Sequence, residues 1–214
     1  TTEIYTLSLH DALPIYPYEN QNEKTNQMNS QVIFLQEFLK HPRQVVSVIP
    51  SSRFLERRIV ELAETRSART VVELGAGVGG TTRAILRAMS PEARLLSIEI
   101  NRQFCALLRR IEDSRLTVHC GNAQELREIL SLYGLPAPDV VVSGIPFSMI
   151  GRGMGSRIIE TISSVLAAEG RFVAYQVSNL VENLARPLLG PARVEVELLN
   201  IPPLRLYRWE KQTA

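Results

Sequence analysis

The chain has 214 residues, 45% of them hydrophobic and 21% charged, with a formal net charge of +2; that length suits one α/β domain with a buried core. No run reaches the roughly 18 consecutive apolar residues of a membrane-spanning helix, so any membrane contact is expected to be peripheral. Two cysteines, Cys105 and Cys120, without metal-ligand spacing argue against a disulfide scaffold or a zinc centre, and fit a reducing cytoplasm and a protein without metal.

Residues 1–27 are polar, lack any period and read as a disordered or artefactual extension. Within them, the run from Thr2 to Ile15 resembles translated sequencing-adapter read-through and stays outside the fold reasoning, with a natural start expected at Met28. Residues 1–27 hold Glu3, Asp11, Glu19, Glu23 and Lys24, so without them the net charge rises from +2 to +5. A moderately basic body suits an anionic surface, lipid or nucleic acid. Genomic arginine bias gives the same balance, since 21 of the 24 basic residues are arginines.

Asn29-Ser30 caps a predicted helix that runs to about Lys40 and ends at Pro42. A loop from Gln44 to Pro50 leads to a second capping signal, Ser51-Ser52, and a charged amphipathic helix with Phe54, Leu55, Ile59, Val60 and Leu62 apolar. Residues 28–69 thus form an N-terminal helical unit and 70–214 the core. In the core, strands are expected at Thr70–Leu74, Arg94–Ile98, Leu116–His119, Asp139–Val142 and Arg171–Val177, with helices at Thr81–Met89, Arg102–Ile111, Ala123–Leu132 and Ser156–Leu166. Such alternation gives a doubly wound parallel sheet with helices on both faces. Val194–Leu199 and Leu204–Trp209 are separated only by Asn200-Ile201-Pro202-Pro203, too short for a crossover helix, so this last pair must be antiparallel. The expected whole is a Rossmann-like, seven-stranded, mostly parallel sheet closed by a C-terminal hairpin.

The chemistry-bearing segments follow the strands. Gly75, Gly77 and Gly80 have dinucleotide spacing between a strand and a helix, where glycines let a ligand approach the backbone and the helix offers free N–H groups. Glu73 precedes the loop, Gly79 adds a further glycine, and the alternative for Glu73 is a solvated strand-end charge. Glu99 closes the second strand, where a carboxylate accepts hydrogen bonds from both ribose hydroxyls; the alternative is a surface carboxylate. Asn122, in Gly121-Asn122-Ala123, offers a carbonyl oxygen to an adenine amino group, or caps a helix. The fourth strand ends in Ser143-Gly144-Ile145-Pro146-Phe147-Ser148, either a Pro-containing turn with Phe147 in the core or a loop that holds an acceptor.

These residues carry a resemblance. Glu73 with Gly75, Gly77 and Gly79 resembles methyltransferase motif I, and Ser143-Gly144-Ile145-Pro146-Phe147 resembles the N-x-P-F/Y loop of amino-methyltransferases. Together with Phe38-Leu39-Lys40-His41-Pro42-Arg43, Ile49-Pro50-Ser51-Ser52-Arg53 and Ser97-Ile98-Glu99, they resemble the bacterial phospholipid N-methyltransferases, which are distantly similar to ribosomal RNA adenine dimethylases. The resemblance covers about residues 30–210. It implies the class I methyltransferase fold and S-adenosylmethionine as cofactor, with S-adenosylhomocysteine as product. The implied cofactor contacts are Ser51, Ser52, Glu73, Gly75, Ala76, Gly77, Gly79, Thr81, Glu99, Ile100, Asn122 and Ala123. Ser143, Gly144, Ile145, Pro146 and Phe147 would face the acceptor, with Tyr175 as wall or acceptor group. It further implies methylation of phosphatidylethanolamine towards phosphatidylcholine, by a monomer held through its N-terminal helix on the inner, anionic face of the membrane.

Val32, Ile33, Phe34, Leu35, Phe38 and Leu39, flanked by Lys40, His41 and Arg43, form an apolar face that suits a lipid interface, or that caps the sheet. Gly144 stands where adenine-N6 enzymes keep an Asn for the nucleobase amine, which weighs against nucleic acid as partner. His41 is a candidate base or an exposed loop histidine, and Tyr207 lines the substrate side or belongs to the core. Arg43, Arg53, Arg152 and Arg157 are candidates for a headgroup phosphate. The competing readings are an rRNA or DNA adenine N6-methyltransferase, an enzyme for another small or lipid amine, and a non-catalytic nucleotide-binding module.

Overall fold

A computed structural model describes residues 53–198 and 203–212. The helix expected over 29–40, His41, Arg43, Ser51 and Ser52 lie outside the described residues, as do residues 1–27.

Seven strands form one sheet: β1 (Thr70–Leu74), β2 (Arg94–Glu99), β3 (Leu116–Cys120), β4 (Val140–Ser143), β5 (Arg171–Gln176), β6 (Arg193–Glu197) and β7 (Leu204–Glu210). Their spatial order is β3-β2-β1-β4-β5-β7-β6. The pairs β1–β2, β1–β4, β2–β3 and β4–β5 are parallel, whereas β7 is antiparallel to both β5 and β6. This is the class I methyltransferase layout, with the strand order reversing beside β1. The helices are α1 (Arg53–Ala63), α2 (Gly80–Ala88), α3 (Arg102–Leu108), α4 (Leu126–Leu132), α5 (Arg152–Val165) and α6 (Leu180–Leu189).

Alternation along each strand builds two cores. On one face, Leu55, Ile59 and Leu62 of α1 and Ile85 of α2 pack over Val71, Leu95, Val140, Val142, Val173 and Leu206. On the other, α4, α5 and α6 cover Val72, Leu96, Val141, Phe172, Ala174 and Tyr207, with Trp209 stacked on Phe172 at 4.9 Å between ring centroids. The second helix of the expected N-terminal unit therefore packs on the sheet as core. Asp139 precedes β4 and accepts hydrogen bonds from the N–H groups of Arg69 and Thr70 at 2.8 and 2.9 Å, which ties the start of β1 to that of β4.

Two departures from the sequence reading have local causes. The helix α5 starts at Arg152 rather than Ser156, and its first turn holds Gly153 and Gly155, residues of low helix propensity. A Cβ at Gly155 would meet Leu184 at 2.8 Å and Phe147 at 3.3 Å, so this glycine is a close-packing contact. The helix α6 was not expected at all. Pro187 sits in its last turns and masks the period, while Val181 and Ala185 are buried beneath it.

Candidate active site

The parallel strands all deliver their C-terminal ends to one edge of the sheet, and the loops there meet beside β1, where the order reverses. Ligands of open α/β sheets bind at such a point. Gly75 follows β1, donates its N–H to Ile98 O at 2.8 Å, and has φ of +73°. A Cβ on it would stand 3.1 Å from Ile145 Cγ1 and 3.2 Å from Ile145 N, so the glycine loop and the loop after β4 touch.

The glycines do different jobs. Gly77 has φ of +56° and nothing within 4 Å of a Cβ position, so open space lies over its backbone. Gly79, with φ of +86°, is hemmed in: a Cβ would lie 2.9 Å from Leu108 Cδ2. Gly79 therefore packs α2 against α3 and Gly77 is the open step of the loop. Gly80 has Glu56 against it, 2.6 Å from a Cβ position, which places the N-terminal turn of α1 at the same edge.

Both acidic residues are buried, against the exposed alternative for each. Glu73 is 1% exposed. Its Oε2 accepts from Thr82 Oγ1 at 2.6 Å and Ser97 Oγ at 2.8 Å, and Oε1 is a buried atom without a partner among the described residues. Burial raises its pKa to about 7, against the pull of the two hydroxyls and with a further push from Glu99. Glu99 is 4% exposed; its Oε2 accepts from Gly77 N at 2.9 Å and its Oε1 from Asn101 N at 2.8 Å. Burial raises its pKa as well, against these backbone donors. The Ile100 backbone N–H acts on the same carboxylate, which keeps acceptor capacity for a ligand hydroxyl. Ile100 is half-buried next to it.

Asn122 does what a helix cap does. Its Oδ1 accepts from Gln124 N at 3.0 Å and its Nδ2 donates to Gln124 Oε1 at 3.2 Å, so the carbonyl caps the turn at Ala123–Glu125 and keeps a second lone pair. Ala123 is buried beneath it.

The loop after β4 is pinned along its length. Gly144 N donates to Leu74 O at 2.9 Å, and Ile145 N donates to Ser143 Oγ at 3.3 Å. Pro146 O accepts from Met149 N at 2.9 Å. Phe147 is fully buried with its ring over Gly155, which is the core placement. Tyr175, on β5, reaches across β4. Its hydroxyl lies 3.5 Å from Thr81 Oγ1 and against Gly144, where a Cβ would stand 2.8 Å from Tyr175 Cζ and closer still to the oxygen. Burial, and then the Glu73 carboxylate, hold this phenol above its ordinary pKa range, so it is a neutral hydroxyl and not a proton acceptor at neutral pH. Tyr207 belongs to the core, with its hydroxyl donating to Ser178 O at 3.3 Å.

The structure thus brings together Glu73, Gly75, Gly77, Thr81, Glu99, Ser143, Gly144, Ile145 and Tyr175. The sequence reading gave no role to Thr82, Asn101 and Gln176 and none to Ser97 beyond its place in Ser97-Ile98-Glu99, although Ser97 and Gln176 are polar residues in apolar strands, a pattern that requires buried partners. Arg53 and Arg152 are exposed at the helix starts on the site edge.

Comparison with known proteins agrees with this geometry. Over 180 residues the chain is 31% identical to the ornithine lipid N-methyltransferase of Singulisphaera acidiphila, covering 82% of this chain and 93% of that protein. Over 98 residues it is 37% identical to the ribosomal RNA small subunit methyltransferase A of Maricaulis maris, which covers 44% of this chain and 33% of that one. The fold matches the crystal structure of 1,6-didemethyltoxoflavin-N1-methyltransferase from Burkholderia thailandensis, with a TM-score of 0.66 and 14% identity over 94% of each chain. No family model matches the chain. Glycine loop, paired buried carboxylates, strand order and similarity over 82% of the chain converge: the chain belongs to the family of S-adenosylmethionine-dependent lipid N-methyltransferases that includes the ornithine lipid enzyme.

Proposed function

We propose that the protein transfers methyl groups to the primary amine of a lipid headgroup, converting phosphatidylethanolamine towards phosphatidylcholine at an anionic membrane surface. The observation that carries this is the pairing of Gly144 with Tyr175. With the tyrosine hydroxyl over residue 144, there is no room for the side-chain amide that would hold a planar nucleobase amine. A small tetrahedral alkylamine needs only backbone carbonyls and the neutral phenol.

S-Adenosylmethionine, when bound, supplies an electrophilic methyl group. The residues present fit it: the open backbone at Gly77 leaves space for it, Glu99 has lone pairs for its ribose hydroxyls, and the unpartnered Oε1 of Glu73 suits its ammonium end. The chain itself must bring the acceptor nitrogen in line and keep water out. Gly144, Ile145 and Tyr175 wall the crevice beside Gly75, and their low-polarity surroundings oppose the ammonium form, which favours the neutral amine that attacks. Tyr175, held neutral, orients that nitrogen by hydrogen bonding, and the departing proton leaves to solvent.

Membrane docking is supported by what the site edge exposes. Phe54 at the start of α1, Val78 in the glycine loop, Val177 after β5 and Leu198 after β6 are 60%, 42%, 50% and 73% exposed. All four lie at the C-terminal edge of the parallel strands, interspersed with the exposed Arg53, Arg152 and Arg205. Apolar tips among cations suit an anionic lipid surface. Among the described residues no helix is long and apolar enough to cross a membrane.

The relative named for ornithine lipid favours a second acceptor, an ornithine lipid, which also offers a primary alkylamine. Expression in a host that lacks phosphatidylcholine, followed by lipid analysis, decides between them. Methylated phosphatidylethanolamine supports the first reading and methylated ornithine lipid the second. Neither product, from folded protein that binds S-adenosylhomocysteine, defeats both.

A further inference from the structure

The last residue of β5, Gln176, is 5% exposed, and both ends of its side-chain amide are used on the loop after β4. Its Nε2 donates to Ile145 O at 2.7 Å, and its Oε1 accepts from Phe147 N at 3.3 Å. The two contacts straddle Pro146, which has no N–H of its own. The amide therefore stands in for the peptide group of a neighbouring strand, at the point where β4 has ended and its ladder with β5 has stopped at Ser143↔Ala174. Consecutive strand residues point to opposite faces. Tyr175 thus presses on Gly144 from one face of the sheet while Gln176 holds Ile145 and Phe147 from the other.

We propose that Gln176 is a positioning residue for methyl transfer: it fixes the peptide planes on either side of Pro146 and so sets the orientation of the loop carbonyls that receive the acceptor amine. The inference rests on the reading of this loop as the acceptor site, and not on which lipid amine is used. A buried side-chain amide satisfied at both ends has one orientation, so it specifies a loop geometry that an apolar residue of equal size would leave free.

The test compares Gln176→Glu and Gln176→Leu with the unsubstituted protein. A protonated carboxyl reproduces both hydrogen bonds, with its O–H donating to Ile145 O and its C=O accepting from Phe147 N. An ionised carboxylate cannot donate to Ile145 O. Burial holds the introduced carboxyl towards the protonated form and Arg205, its register partner on β7, acts against that. Methyl transfer is measured on vesicles that contain phosphatidylethanolamine or an ornithine lipid. The expected result is that Gln176→Glu works at low pH and gains a falling limb as pH rises, a limb the unsubstituted protein lacks. Gln176→Leu should lose about ten- to a hundredfold in kcat at every pH, with unchanged affinity for S-adenosylhomocysteine. Full activity of both folded variants across the pH range would overturn the proposal. So would losses that only follow cofactor affinity or melting temperature. If the unsubstituted protein transfers methyl groups to neither lipid, the acceptor reading fails. The clamp is then read by hydrogen exchange at the Phe147 amide, which should quicken in Gln176→Leu, and unchanged exchange would overturn it.

Discussion

The hydroxyl of Tyr175 occupies the volume in which any side chain on residue 144 would have to begin. Tyr175 lies on β5 and Gly144 in the loop after the neighbouring β4, 31 residues apart in the sequence, and residue 144 can gain a side chain only if the tyrosine gives way. The glycine in the loop after β4 is therefore the partner of a tyrosine on β5, and the pair sets the free volume of that loop beside Gly75.

Gly144→Ala should destabilise the fold by about 1–3 kcal/mol through overpacking. Combination with Tyr175→Ala should recover much of that loss, since the obstructing ring is gone. Urea melts of the two single variants and the double variant give the coupling. Additive losses would mean that the contact is relaxed at no cost and that Gly144 is set by something else.

Glu73 links stability to pH. Its folded pKa of about 7 lies above the ordinary 4.5, so the folded state binds more protons, and stability falls as pH rises through this window. By pH 8 the loss is on the order of 3 kcal/mol. Glu73→Gln should therefore be more stable than the unsubstituted protein at pH 8 and similar to it near pH 4.5. Glu99, shifted the same way by burial, leaves a residual slope in the variant. Denaturation midpoints across pH 5–8.5 give the comparison, and parallel curves for the two proteins would refute the assignment.

Glu99→Ala should weaken binding of S-adenosylhomocysteine by roughly 2–4 kcal/mol, the worth of two charge-assisted hydrogen bonds. The structure adds a second cost, because the same carboxylate holds Gly77 N and Asn101 N. Calorimetry should show the loss in affinity together with a lower melting temperature. Unchanged affinity would remove Glu99 from the site.

The glycines of the loop should separate by phenotype. Gly77→Ala puts its methyl into open space, so its stability cost is the backbone strain of φ +56°, about 1 kcal/mol, while ligand affinity drops. Gly79→Ala meets Leu108 in addition to the same kind of strain, and should cost clearly more stability. Thermal melts and calorimetry on both variants test the order. Equal losses in both measurements would contradict the division of roles.

Much of the fold was legible in the sequence because it is local. Alternation of apolar runs with helical periods gave β1 over Thr70–Leu74 and placed β2 to β5 and both hairpin strands to within a residue or two, and the short Asn200–Pro203 connection forced the hairpin to be antiparallel. Where the reading failed, packing overrode local preference. The helix α6 keeps Pro187 because its buried face outweighs one lost hydrogen bond, and α5 includes Gly155 because Phe147 and Leu184 leave no room for more.

By itself, the sequence determined the glycine loop, the two carboxylates at its strand ends and the hairpin, since each is written in neighbouring residues or in the period of a single element. Only the tertiary structure decided what those residues do. It buried Glu73 under Thr82 and Ser97, turned Asn122 into a cap, and joined Gly144 with Tyr175 and Ile145 with Gln176. The physical reason is that charge state, hydrogen-bond partner and free volume at a side chain are set by what lies within about 4 Å of it, and here those neighbours come from other strands.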